Sequence, residues 1–226
     1  MHAWTRPNEP EELRKARPAL TREFVLEKRR TDLTPDCKWP NVRREDGEME
    51  TLHDFLSRST NGHCNYCDSL LGYAAPETID HFLPKSNPKF ACLAYVWRNL
   101  YLCCRDCQHK GTRHDKRALR PDEKDAQGNH YQFSRYFRYC RDGTIKVIAT
   151  DDLDLERAAL TLEVLDLNDP ELVSKRSGVF NAGLKPRMRP LRNGLDGQTA
   201  LARDKVLKWN PSSQPYRDFF DQSADD

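Results

Sequence analysis

The chain has 226 residues, 37% hydrophobic and 32% charged, a balance that does not suit a disordered chain and fits one domain or one domain with appendages. Its 37 basic and 35 acidic residues leave a formal net charge of +2, too little for a bulk polycation, so any contact with nucleic acid has to come from local patches. Eight cysteines would allow a secreted disulfide framework, but the opening MHAWTRPNEPEELRKARPAL lacks an apolar signal segment. No stretch approaches the roughly 18 apolar residues of a membrane span, so a reducing cytoplasm and no membrane are expected.

In chain order, Pro10 before Glu11 and Glu12 sets a helix start, and Pro18 is expected to kink or split that helix. Lys28-Arg29-Arg30 reads as a solvated basic helix end, and the stretch from Pro35 to Pro40 as a loop. From Glu48 to Arg58 the apolar residues Met49, Leu52, Phe55 and Leu56 keep a helical period, which Asn61-Gly62 ends.

Two CxxC pairs follow, Cys64/Cys67 and Cys104/Cys107. Thiolates are soft ligands, and two such knuckles complete a tetrahedral Cys₄ site for Zn²⁺ with no open position, hence a structural one. Cys103 could replace Cys104 as a ligand, although the spacing to Cys107 favours Cys104. Cys37, Cys92 and Cys140 read as small buried hydrophobes. Between the knuckles, Glu77 to Phe82 alternates as a short strand that Pro84 stops, and the run Asn99-Leu100-Tyr101-Leu102 leads into the second pair. Strand neighbours point to opposite faces, so Asp80 and His81 are expected to do different jobs. A carboxylate suits Mg²⁺ or Mn²⁺, and a neutral imidazole can take a proton from water: Asp80 reads as the ligand of a catalytic ion and His81 as the base.

Downstream, Tyr131 to Tyr139, the turn Arg141-Asp142-Gly143 and Ile145 to Ile148 read as a β-hairpin whose aromatics either stack on single-stranded bases or pack on the metal module. Leu153 to Leu165 has helical spacing behind Asp151 and Asp152, and Pro170 opens another helix. Gly178 to Lys185 imitates a phosphate-binding loop, but Leu184 intrudes and Pro186 stands where Ser or Thr would hold Mg²⁺, which excludes ATP hydrolysis by this chain. Lys185, Arg187, Arg189 and Arg192 form a basic strip, a second candidate for DNA or partner contact. Thr199 to Trp209 reads as a helix and Pro215 to Asp226 as a loosely held tail.

The motifs CNYC, IDHFLPKS, WRNLYLCCRDC and the following HKG resemble the HNH endonucleases, in the variant whose ββα-metal module is stapled by paired knuckles. More narrowly, with FRYCRDGTIKV and LTLEVLDLNDPELVSKR, the chain resembles the HNH proteins of retron-associated and Septu-type phage-defence systems. The resemblance implies an α+β fold: a zinc-stapled HNH module over residues 61–120, a helical extension over 1–60, and a hairpin with helices over 121–226. It matches Asp80 to the metal-binding acid, His81 to the general base and Asn99 to the residue that orients the base. The third metal position falls on Gln108, a departure from the usual Asn or His, with His109 next to it and His114 as a further candidate. Lys110, Arg113, Lys116 and Arg117 lie on or beside the helix held against the substrate in such nucleases, and would contact phosphates without reading sequence. The implied activity is cleavage of nucleic acid, double-stranded DNA first, to 5′-phosphate and 3′-hydroxyl ends, with a separately encoded ATPase as partner. The opposing readings are a non-catalytic zinc module that binds nucleic acid or a protein, and a nuclease silent outside the ATPase complex.

Overall fold

The first ten residues form an irregular arm that buries Met1 and Trp4. The computed structural model describes residues 1–71, 78–108, 110–183 and Tyr216. The arm is tied down at three places: the Trp4 amide donates to Pro121 O at 2.8 Å, the Trp4 indole to Ser59 O at 3.1 Å, and the Trp97 indole to Pro7 O at 3.0 Å. Arg6 is the centre of this clamp. Its guanidinium lies over the rings of Trp4, Trp97 and Tyr101, donates to the carbonyls of Trp97 and Leu100, and pairs with Asp122, which also accepts from the Tyr101 hydroxyl at 2.6 Å.

Helix α1, Glu11–Thr31, is continuous through Pro18, so the chain does not split there. Proline removes one backbone donor there, and the buried Leu13 and Phe24 on either side hold the helix against the core. A loop leads to a small ribbon of β1, Val42–Arg43, and β2, Met49–Glu50, turned at Gly47 with φ +92°. Met49 therefore belongs to a strand, and helix α2 is shorter than the period suggested, Leu52–Ser59. Thr51 starts it, its hydroxyl oxygen accepting from the Asp54 amide at 3.1 Å.

Strand β3, Thr78–His81, pairs antiparallel with β4, Leu100–Cys103, in a register that sets Asp80 opposite Tyr101 and His81 opposite Leu100. Two 3₁₀ turns, Ala91–Leu93 and Trp97–Asn99, fill the long connection. Cys92 is exposed in the first of them, where Ala91 faces the core, and Cys37 and Cys140 are only half-buried, so none of the three is the buried hydrophobe expected. Helix α3, Arg105–Gln108, is a single turn, so Lys110, Arg113, Lys116 and Arg117 lie in the segment after it rather than on a helix.

Tyr131 is not in a strand: a one-turn helix α4, Phe133–Tyr136, comes first, and the hairpin is confined to β5, Phe137–Tyr139, and β6, Ile145–Val147. Tyr131, Phe133, Tyr136, Phe137 and Tyr139 are all buried, with Phe133 stacked on Tyr139 at 4.5 Å, which makes these aromatics core and removes base stacking on them. Helix α5, Asp152–Leu165, begins at Asp151, whose carboxylate accepts from the amides of Leu153 and Asp154. Helix α6, Pro170–Gly183, includes Gly178 to Gly183, so the apparent phosphate loop is helical that far. The basic strip from Lys185 to Arg192 and the helix expected over Thr199 to Trp209 lie outside the described residues, as does the tail apart from Tyr216. The result is a mixed α+β chain with two-stranded sheets, in which no helix among the described residues is long and apolar enough to cross a membrane.

Arg176 of α6 is 1% exposed and donates to Gly143 O at 2.6 Å and Leu167 O at 2.5 Å, docking the helix on the hairpin turn. The approach is so close that a Cβ on Gly143, at φ +90°, would stand 2.2 Å from Val173 O and 2.8 Å from Ser177 N. Gly143→Ala is expected to cost roughly 2 kcal/mol or more, read as a lowered urea midpoint, while Gly128→Ala, with open space at its Cβ, costs about 1 kcal/mol from its positive φ alone.

Candidate functional site

The first knuckle docks on the second strand before any metal is considered. Asn65 accepts from the Leu102 amide through its side chain at 2.7 Å and donates its own amide to Leu102 O at 2.9 Å. This brings Cys64 and Cys67 beside the residues that end β4, and the sulfurs of Cys64, Cys67, Cys104 and Cys107 all lie within 4.8 Å of one another. Cys67 and Cys104 are 3.6 Å apart, too far for a disulfide and close to the sulfur–sulfur edge of about 3.8 Å in a tetrahedron with 2.3 Å zinc–sulfur bonds. The Cys104 amide donates to Cys64 Sγ at 3.4 Å. Burial pushes against ionisation of Cys64, yet the neighbouring cysteines outweigh it and hold that thiol well below its usual range. The same proton sharing pushes Cys104 up, Cys107 being its main partner. Four crowded sulfurs of this kind can hold a zinc ion. Cys103, the alternative ligand, is buried and gives its thiol hydrogen to Cys104 O at 3.1 Å. Outside the sulfurs, Ser69 bridges Cys67 Sγ at 2.9 Å and the Tyr216 hydroxyl at 3.0 Å.

Asp80 sits immediately beside this cluster. Its Oδ2 accepts from the Tyr66 hydroxyl at 2.7 Å and meets Lys110 Nζ at 2.8 Å, while Oδ1 has no hydrogen bond among the described residues. Lys110 is 2% exposed and also donates to the main-chain oxygen of His81 at 2.8 Å. It was expected at a phosphate; burial and its pairing with Asp80 remove it from the surface. Gln108 turns its amide nitrogen to Thr78 Oγ1, two residues before Asp80 on β3 and so on the same side of the strand. His109 lies outside the described residues. His114 packs edge-on against Phe90 at 4.9 Å and contacts Thr112 O through Nδ1.

His81 is 5% exposed, and its environment comes from other elements than that of Asp80. Nε2 lies 2.8 Å from Ala94 O; a carbonyl can only accept, so Nε2 carries the hydrogen and Nδ1 keeps the lone pair of the neutral ring. Trp39 stacks at 6.0 Å and 26°, and Cys37 Sγ is 3.9 Å from Nε2, both from the loop after α1. Burial lowers the imidazole from 6.5 to about 4, with Lys85 and Lys110 adding to the effect against the Ala94 bond and the Asp80 charge. The ring is therefore neutral throughout the physiological range.

Among the described residues no side-chain hydrogen bond joins Asn99 to His81. Its Oδ1 accepts from the Leu83 amide at 2.8 Å and its Nδ2 donates to Leu83 O at 3.0 Å and Leu93 O at 3.2 Å. It thus pins the chain two residues after His81 and one residue before Ala94. Of the surface cations, Arg113 pairs with Asp166 at 2.8 Å, Arg117 pairs with Asp115 and Glu156, and Lys116 is exposed with its ammonium 5.5 Å from the Phe90 ring. Sequence reasoning missed Tyr66, Ala94 and the Trp39 loop. Tyr66 lay in plain view inside the first knuckle, but a backbone carbonyl such as that of Ala94 leaves no residue-type signal.

No protein-family model matches the chain. Over 90 residues, 35% of this chain, it is 31% identical to the Septu protein PtuB of Bacillus mycoides (strain KBAB4), covering 30% of that protein. Over 209 residues, 87% of this chain, it is 28% identical to the Septu protein PtuB of Bacillus thuringiensis, covering 73% of it. The first match thus spans less than two thirds of that relative.

The sulfur geometry makes a direct distinction between the two neighbouring cysteines. Purified protein is expected to carry one zinc per chain by elemental analysis, to lose it in Cys104→Ser and to keep it in Cys103→Ser; the reverse pattern would assign the ligand to Cys103.

Proposed function

We propose that the chain is a metal-dependent endonuclease of the HNH type, hydrolysing phosphodiester bonds of DNA, and that it serves as the effector of an anti-phage defence system beside an ATPase partner. Similarity to two Septu proteins supports the defence role. The observation that carries the chemistry is the pairing on one short strand of a buried neutral imidazole, its tautomer set by Ala94 O, with a carboxylate that offers one oxygen.

The donor set around β3 fits a hard divalent ion: Asp80 through Oδ1 and Gln108 through its amide oxygen, neither of which has a hydrogen bond among the described residues, with His109 the alternative to Gln108. Such an ion, Mg²⁺ or Mn²⁺, would supply Lewis-acid stabilisation of charge on the phosphate and the leaving oxygen. His81 Nδ1 removes the proton from the attacking water, and Nε2–H keeps the ring in place as it becomes cationic. Asn99 is the positioning residue, since it fixes both Leu83 and Leu93 and through them the strand end and the carbonyl that aims the base. Arg113, Arg117 and Lys116 provide phosphate contact; exposed ion pairs are worth only about 0–1 kcal/mol, so a phosphate can displace the carboxylates of the two arginines. One observation favours a non-catalytic zinc module instead: Lys110 already balances the Asp80 charge.

Plasmid nicking with Mg²⁺ and Mn²⁺ separates these readings. His81→Ala is expected to lower the rate by about 10²–10⁴ at unchanged zinc content, and an equal rate in the variant excludes His81 as the base. The wild-type assay repeated with the ATPase partner identifies a nuclease that is silent alone. The pH dependence follows from the lowered imidazole: a base with a value of about 4 is deprotonated at both pH 8 and pH 6, so its contribution stays flat over that interval. An ordinary imidazole would lose roughly fourfold by pH 6.

A further inference from the structure

The two groups that hold Asp80 share an origin that its place on β3 does not suggest. Tyr66 is one of the two residues enclosed by the first CxxC pair, and it is fully buried. Lys110 follows the second pair by three residues, its amide donating to Cys107 O at 3.3 Å. Each sulfur knuckle therefore sends one donor to the same carboxylate oxygen, and the two donors are themselves neighbours, with Lys110 Nζ 6.0 Å from the Tyr66 ring centre. A phenol keeps its hydrogen at neutral pH, so the Tyr66 hydroxyl is the donor in its bond to Asp80. With its side chain 1% exposed, Lys110 cannot reach a nucleic-acid backbone without leaving the interior.

We propose that Tyr66 and Lys110 are positioning residues through which the sulfur cluster fixes Asp80, holding Oδ2 so that Oδ1 is presented to a divalent cation. This rests on the proposed function, in which Asp80 is the metal-binding acid. Ligating carboxylates are ordinarily oriented by donors on the oxygen that does not bind, and loss of such a donor weakens metal binding by about 10–100-fold. A cation beside the carboxylate could act in the opposite sense, competing with the metal for the same charge, and the two roles predict opposite signs. For a positioning group, Lys110→Met weakens divalent binding; for a competitor, it tightens it. Tyr66→Phe keeps the shape of the knuckle and removes only the hydroxyl, so it tests the same idea without altering charge.

The measurement is Mn²⁺ binding to zinc-loaded protein by electron paramagnetic resonance, with zinc content and melting temperature recorded for every variant. Wild-type protein is expected to bind one Mn²⁺ that Asp80→Asn abolishes. Lys110→Met is expected to weaken that binding about 10–100-fold, and Tyr66→Phe severalfold, with zinc retained at one per chain. Loss of stability with unchanged Mn²⁺ affinity in the folded variants, or tighter binding in Lys110→Met, overturns the positioning role and leaves the proposed function standing. Absence of Asp80-dependent Mn²⁺ binding in the wild-type protein overturns that function and this inference with it.

Discussion

Four sulfur atoms within 4.8 Å of one another mark where two stretches of chain forty residues apart meet, and the candidate site is built around that junction. The β3–β4 ribbon has only four residues in each strand, and a two-stranded ribbon of that size is marginal in water by itself. Here it is closed at the Thr78–Cys103 end by the knuckles, through Asn65 on Leu102 and the thiols around Cys104. At the other end Asn99 ties Leu83 to the chain before β4. Asp80 and His81 lie between these fixed ends, so their side chains inherit a position that the ribbon alone would not impose.

A second constraint is the number of cations taken into the interior. Arg6, Lys110 and Arg176 are each largely removed from water, and each is met by carbonyl or carboxylate oxygens. Removing one partner of such a group strands a buried charge, at a cost of about 3–5 kcal/mol, which ties each contact to a definite arrangement. Arg6 fixes the N-terminal arm against β4 and Asp122, Arg176 fixes α6 on the hairpin turn, and Lys110 joins the carboxylate of Asp80 to the main chain of His81. The first two are structural. The third is the one that reaches the candidate chemistry.

Asp80 and His81 illustrate how neighbouring strand residues acquire different environments. Asp80 meets donors delivered by the sulfur knuckles, whereas His81 is enclosed by Ala94, Trp39 and Cys37, so the N-terminal loop and the long β3–β4 connection define its neutral state. The proposed mechanism needs a carboxylate for the metal and a neutral imidazole for the proton, and burial supplies the second at His81. The two adjacent positions thus have separate surroundings.

The amino-acid sequence by itself determined the elements whose cause is local. CxxC spacing selected the four sulfurs, alternation placed β3, and Asp151 and Pro170 marked the starts of α5 and α6, because ligand spacing, strand period and helix capping act over a few residues. Where local rules competed with packing they misled: Pro18 did not interrupt α1, Met49 entered a strand despite a helical period, and the aromatic run from Tyr131 split into a turn of helix and a short strand. Only the tertiary structure decided that Lys110 turns inward to Asp80, that Ala94 O selects the His81 tautomer, and that the Asn99 side chain bonds Leu83 and Leu93. Those outcomes depend on groups brought together from distant parts of the chain, and on burial that converts a lysine from a surface charge into an internal ion-pair partner. Neither residue type nor periodicity encodes that information.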